Sequence, residues 1–342
     1  MTRTRKFFLL LVTSSIAGAG YWMFLMPTPP PAPKQPWTRQ EPGGGMIRAV
    51  AIDPRNLGTV YVATPEGVFK TEDGGIHWAE TNHGISNTDV RAIAVDPKFP
   101  NIVYVGTGDG YLLETEDGGE SWYPLPTHLA AAPIRTLAID PMNPETLYVG
   151  ISRVGIFKSL DGGLQWTVQN NGLTDLAVRA FAFNPSAPAE VYVGTNGGGL
   201  FKSTNGGGNW KNITESLANR VIRAVVVDPK APRTIYVGTS TSGVFKTTDG
   251  GSVWTAVNTG LQDPIVASLA IDPRHSETLY VGSAAGWVSK TTDGGAHWKP
   301  TKPGAKRAVS AILVDPNRPD TVYIGTAGSG VFKSTTGAEL SS

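Results

Sequence analysis

Residues 223–257 carry four short apolar runs in succession: Arg223-Ala-Val-Val-Val-Asp228, Thr234-Ile-Tyr-Val-Gly238, Gly243-Val-Phe-Lys246 and Trp254-Thr-Ala-Val257. Val, Ile, Tyr and Phe fill them, and Pro, Gly, Asn and Asp bound them. This is strand chemistry punctuated by turn chemistry, and it predicts four short strands, A to D, with no helix. Strand A is apolar almost throughout, as expected of a sheet packed on both faces.

The same unit recurs along the chain. An Asp-Pro or Asn-Pro pair begins at Asp53, Asp96, Asp140, Asn184, Asp228, Asp272 and Asp315, in steps of 43 or 44 residues. Trp78, Trp122, Trp166, Trp210, Trp254 and Trp298 follow at a constant step of 44. A period in this range indicates a propeller or a solenoid. Four all-β segments per repeat select the propeller, in which each sheet buries its faces against its neighbours. The expected fold is therefore all-β, a seven-bladed β-propeller over 37–342.

The ends predict how the ring closes. The seventh unit supplies A, B and C up to Lys333 and then lacks a tryptophan and a strand D. Trp37-Thr-Arg-Gln40 precedes the first strand A at nearly the spacing by which Trp78 precedes the second. The N-terminal strand is expected to complete the last blade, which removes two open sheet edges.

Between strands C and D stand Thr71-Glu-Asp-Gly-Gly-Ile-His-Trp78 and five further copies of Ser/Thr-x-Asp-x-Gly-x-x-Trp. The aspartate position holds Asp73, Asp117, Asp161, Asn205, Asp249 and Asp293. Asp or Asn accepts backbone N–H bonds within a turn, glycine supplies positive φ, and the indole buries area beneath. One carboxylate per turn is too few for calcium, so these residues are expected to be structural, with no metal and no cofactor. The pattern is the Asp-box, or BNR repeat. It resembles that of sialidases, sortilin-type receptors, xyloglucan-degrading endoglucanases and photosystem II stability/assembly factors. With its Asp-Pro…Tyr-Val-Gly-Thr units on one propeller behind a membrane-targeting leader, the chain is most similar to the assembly factors. That resemblance implies the propeller fold and a partner-binding role.

Composition narrows the function classes. The chain has 342 residues, no cysteine, and a formal net charge of +1. Disulfides, thiolate metal sites, a cysteine nucleophile and N-terminal lipidation on cysteine are excluded. Near-neutral charge gives no bulk drive toward nucleic acid. The first residues include Arg3, Arg5 and Lys6, and Phe7 to Met26 is uncharged for twenty residues, ~30 Å as a helix. Residues 1–26 are expected to form a membrane anchor with the rest outside the cytoplasm. Ala17-Gly-Ala19 opens the alternative of a cleaved signal peptide and a secreted domain. Residues 27–36 read as a proline-rich spacer.

Strand order puts A–B and C–D connections on one rim, with the Asp-boxes. The D–A and B–C connections share the other, where sequence varies more and function is expected. Five residues before each Asp/Asn-Pro stand Arg48, Arg91, Arg135, Arg179 and Arg223, with Ala267 and Ser310 in the last two blades. Since strand A is innermost, these arginines are expected at the channel mouth. Guanidinium clusters suit carboxylate or phosphate groups, while the architectural alternative has them tying blades together. Arg153 lies in a B–C loop of the same rim. Strand C opens on glycine in five blades but on Tyr111 and Trp287 in blades 2 and 6, a candidate docking or sugar-stacking platform.

For a glycosidase the chain offers only Glu66 and Asp109 as an opposed carboxylate pair. His83 and His128 are too few for a metal. The expected function is a non-enzymatic, membrane-tethered, monomeric binder of a protein partner, as a scaffold or assembly factor for a membrane complex. A carbohydrate-active or glycan-binding propeller is the alternative. A sortilin-type receptor is disfavoured by the missing cysteine-rich module.

Overall fold

Strand B is the most deeply buried part of each repeat. Val103–Thr107 and its six counterparts are buried at every residue. Their alternate side chains fill the spaces between blades, and their near-continuous apolar content follows from having both faces covered. Strand A, by contrast, keeps partly exposed residues in every blade. Its sequence predicts burial on both faces, but one of its neighbours is the open central channel.

In the computed structural model, the described residues are 36–40, 45–126, 129–214, 217 and 220–339. They form 28 strands in seven four-stranded antiparallel sheets, with no helix. Six sheets run in sequence order. The seventh is ordered Thr38–Gln40, Val331–Ser334, Val322–Thr326, Val309–Val314, with Thr38 opposite Lys333 and Gln40 opposite Val331. The N-terminal strand thus closes the last blade. Trp37 is 5% exposed there, and its indole donates to Thr301 Oγ1 at 3.0 Å. The anchor over 1–26, most of the spacer, Glu41 and His128 lie outside the described residues. No helix among the described residues is long and apolar enough to cross a membrane.

The core is seven interfaces in place of one centre. One cluster joins Tyr61 and Val68 of blade 1 to Val90, Val105, Leu113 and Trp122 of blade 2. Another joins Tyr323 and Val331 of blade 7 to Ile47, Val60 and Val62 of blade 1. The glycine of Tyr-Val-Gly-Thr exists for this packing: a Cβ on Gly106 would stand 2.4 Å from Ile134 Cγ2 of the next blade.

The Asp-boxes do turn work, as expected. Thr71 Oγ1 donates to Asp73 Oδ1 at 2.8 Å, and that oxygen accepts the Ile76 and His77 N–H groups at 2.9 Å each. Asn205 does the same with its amide oxygen, accepting from Ser203 Oγ and Asn209 N at 2.9 Å. Hydrogen bonding holds Asp73, Asp117, Asp161, Asp249 and Asp293 below the usual carboxylate range, the backbone N–H of the turn leading in all but Asp117, where Thr115 leads. The chain also ends blade 7 on a degenerate box without Asp or Trp. Ala338 N donates to Ser334 Oγ at 2.9 Å, and Ala338 takes φ 62°, where other boxes use glycine.

A polar stitch crosses between blades. The strand-B tyrosine donates to the first glycine carbonyl of the next box: Tyr61 to Gly118, Tyr148 to Gly206, Tyr236 to Gly294, Tyr280 to Gly337 and Tyr323 to Gly74, at 2.9–3.4 Å. The strand-C lysine joins it in three blades, Lys158, Lys246 and Lys333 bonding the same carbonyls at 2.7–3.1 Å while lying over the tyrosine ring. Two interfaces depart. In blade 4, Lys202 pairs with Glu190, and the buried Tyr192 hydroxyl beside them makes no regular hydrogen bond among the described residues. In blade 2 the lysine is Glu114, which bonds Tyr104.

Candidate channel-mouth site

Each of blades 2 to 7 has a register shift at the start of strand A: between Val90 and Ala92, Ile134 and Thr136, Val178 and Ala180, Ile222 and Ala224, Val266 and Ser268, and Val309 and Ala311. The skipped residue is the arginine position. A bulged residue leaves the ladder and its side chain is re-aimed. That is how Arg91, Arg135, Arg179 and Arg223 come to face the channel from a strand otherwise committed to pairing. Arg48 reaches the same place from just before the first strand A, its N–H on the Ala63 carbonyl at 2.9 Å.

The five arginines, Ala267, Ser310 and Met46 line one cavity of about 330 Å³. Blades 1 to 5 make a cationic arc, and blades 6 and 7 leave a neutral gap. Within the arc the charges are not equivalent. Asp89 Oδ2 accepts Arg91 Nε at 2.9 Å and Nη2 at 2.7 Å. Asp89 Oδ1 meets Arg48 Nη1 as an ion pair, at an angle that leaves Nη1 without a regular hydrogen bond. Burial alone would raise the Asp89 carboxyl. The Arg91 hydrogen bond and the Arg48 and Arg91 charges outweigh it and hold the group ionised below its ordinary range. Arg179 donates to Asn196 Oδ1 through Nε at 3.1 Å and Nη2 at 2.7 Å. Arg135 and Arg223 make no hydrogen bond or ion pair among the described residues. Burial, then the charges of Arg91, Arg179 and Arg48, shift Arg135 below its usual value. Arg179 is shifted down likewise, by burial and then by Arg223. Half-buried guanidinium groups that repel one another, only partly offset by Asp89 and Asp175, make a site that gains from an anion.

Sequence reasoning missed the partners Asp89, Asp175 and Asn196. The signal was present, since Asp89 stands two residues before Arg91. Asp175 faces Arg179 and caps the Gly198 N–H at 3.1 Å.

The remaining candidates do not join this cavity. Arg153 is exposed in its B–C loop at φ 61°. Tyr111 is 52% exposed and is held by its backbone to Thr107. Trp287 is half-buried beneath Lys302, whose Nζ lies 5.0 Å from the ring centre. Blades 2 and 6 are not neighbours in a seven-blade ring, so these two aromatics do not form a single platform. Asp109 accepts from Thr107 Oγ1. Burial would raise it, but the bonds from Thr107 and Asn87 prevail and keep it ionised. Glu66 is exposed in the neighbouring B–C loop, and His83 is exposed in a D–A loop. No group of three metal-ligating side chains occurs among the described residues.

A larger cavity, about 680 Å³, opens between blades 1 and 2 beside the Asp-box, lined by Lys70, Asp73, His77, Trp78 and Thr81. It exists because Thr81 stands where Leu125 or Ile213 packs against the next box's second glycine in other blades. We read it as a packing deficit, and the arginine cavity, though smaller, as the chemically distinctive one.

Comparison with known proteins agrees with this architecture. Residues 34–176 match the family model described as Photosynthesis system II assembly factor YCF48, and residues 198–307 match that of Sortilin, neurotensin receptor 3. No curated protein matches the sequence. Among solved structures, the GH74 xyloglucanase from Xanthomonas campestris has a TM-score of 0.74 at 17% identity, covering 88% of this chain and 53% of that one. The GH74 enzyme of Niastella koreensis gives 0.74 at 21% identity, over 88% and 53%. YCF48 bound to D1 peptide gives 0.70 at 17% identity, over 89% of this chain and 98% of that one. The chain therefore spans about half of each GH74 enzyme. At these identities the likeness defines the fold, a seven-bladed Asp-box propeller.

Proposed function

We propose that this chain is a non-enzymatic binding propeller that holds an acidic segment of a partner protein at its arginine mouth. It would act outside the cytoplasm, tethered by residues 1–26, as a scaffold or assembly factor for a membrane complex. One observation carries the reading: Arg135 and Arg223 are charged, crowded and, among the described residues, without a hydrogen bond or ion pair at the mouth of the channel. Similarity over most of both chains to YCF48, solved with a bound D1 peptide, supports it.

The rival is a carbohydrate-active propeller, favoured by likeness to the GH74 enzymes. A general acid there needs a raised carboxyl, whereas Asp109 is held low. Arg135→Ala with Arg223→Ala tests the proposal. Neither residue ties blades together, so the fold should persist while capture of a partner from solubilised membranes falls about tenfold or more. Undiminished capture contradicts it, and turnover of xyloglucan establishes the rival.

A further inference from the structure

On the rim opposite the arginines, large apolar side chains stand in solvent. Phe99 and Met142, each 62% exposed, cap the A–B connections of blades 2 and 3, and Leu160 and Leu164 stand on the blade 3 Asp-box turn. These segments are tied together. Lys98 Nζ donates to the Met142 carbonyl at 2.6 Å, and Gly162 N to the Glu145 carbonyl at 2.9 Å. On these linked turns the four side chains together expose on the order of 400 Å² of apolar surface, the scale of a patch that is often functional. Ile76 and Val253 stand exposed likewise on the turns of blades 1 and 5. On the arginine rim, among the described residues, only Met46, Tyr111 and Ile265 are large, apolar and exposed.

The same rim receives the chain. Trp37 occupies the Asp-box tryptophan position of blade 7 and packs in one cluster with Ala338 of the degenerate box. Ten residues separate it from Met26, the end of the uncharged run, a reach of at most ~40 Å. Lys98 beside the patch is offset by Glu116, Glu120 and Asp161 on neighbouring turns, so the rim offers no net attraction for anionic headgroups.

We propose that the Asp-box rim rests on a bilayer surface of zwitterionic or uncharged lipid, with Phe99, Met142, Leu160 and Leu164 at headgroup depth. The arginine mouth then faces away from the membrane, roughly 20 Å or more above it, since strand A spans six residues. A partner segment must stand out from the bilayer by that height to reach it. The orientation is independent of whether the arginines bind a partner.

The absence of native cysteine makes the test direct. The full chain is reconstituted into phosphatidylcholine vesicles containing a headgroup-level nitroxide lipid. Single-cysteine variants Gln165→Cys and Tyr111→Cys carry an environment-sensitive fluorophore on the Asp-box and arginine rims respectively. Quenching at position 165 should exceed that at 111 by about threefold, should resist added salt, and should fall toward the 111 value when Phe99→Ser and Met142→Ser are added. Equal quenching, none at either site, or no effect of the serine pair overturns the proposal. Shielding of position 165 that depends on protein concentration without lipid does so too, and points to a second copy.

Discussion

Glu114→Lys should make the protein more stable, an uncommon direction for a substitution at a half-buried site. Glu114 occupies the strand-C position that is lysine in the other six blades. Burial pushes its carboxyl up, the Tyr104 hydrogen bond opposes this, and Glu116 adds to the rise. Lysine there would bond the Gly162 carbonyl as Lys158 bonds Gly206, gaining about 1.5 kcal/mol for a charge-assisted bond and about 0.5–1 kcal/mol over the Tyr104 ring. Loss of the Tyr104–Glu114 bond costs about 1 kcal/mol. The net gain is about 1–1.5 kcal/mol. With unfolding entropy near 2.1 cal/mol/K per residue over roughly 300 residues, the melting temperature rises by about 2 °C. Calorimetry at pH 7 reads this directly. A pH series with Glu114→Gln isolates the carboxylate. Its folded-state pKa lies above the unfolded one, so ionised Glu114 penalises folding, and the penalty fades as pH falls through the raised value toward about 4.3. Gln should therefore be stabilising at pH 7 and neutral near pH 4. A lysine variant melting at or below the parent, or a glutamine effect independent of pH, refutes the stitch as a source of stability.

Trp37→Ala should cost about 3–5 kcal/mol and lower the melting temperature by roughly 5–8 °C, because it leaves a void in the closing blade and frees Thr301; an unchanged melt contradicts closure by the N-terminal strand. The Asp-box carboxylates have depressed pKa values, so their contribution is present above about pH 4 and lost as pH falls below it. Replacing Asp73, Asp161, Asp249 and Asp293 by Asn, the residue nature uses at Asn205, should leave neutral-pH stability nearly unchanged and flatten the acid limb of a melting-versus-pH curve.

The period of 44, the six boxes and the borrowed strand at Trp37 are all local or strictly periodic signals, and they carried the fold without error in blade number or closure. What escaped was set by pairing across distance. The bulge that aims Arg91, Arg135, Arg179 and Arg223 exists only in register with strand B, and no residue type marks it. The stitch joins Tyr148 to Gly206, a separation of 58 residues, so the recurring Phe-Lys motif shows the donor without its acceptor. The seventh box at Ser334–Glu339 lacks both Asp and Trp and is invisible to the motif while keeping the backbone bonds to its Ser334 hydroxyl. Strand A reads as doubly covered, because apolar content cannot distinguish a neighbouring blade from a channel. At the site, five arginines were legible by position. Which of them are spent on Asp89 and which are free required the loops in three dimensions.

That distinction defines the most direct measurement. Partner capture from solubilised membranes is compared for Arg135→Ala with Arg223→Ala, for Arg48→Ala with Arg91→Ala, and for the parent chain, with calorimetry alongside. The first pair should lower capture about tenfold or more and leave the melt within about 1 °C, since neither residue makes a hydrogen bond or ion pair among the described residues. The second pair should lower the melt, because Asp89 is left uncompensated between blades 1 and 2. Full capture by the Arg135 and Arg223 variant, or loss of capture only in step with unfolding, would contradict a binding role for the arginine mouth.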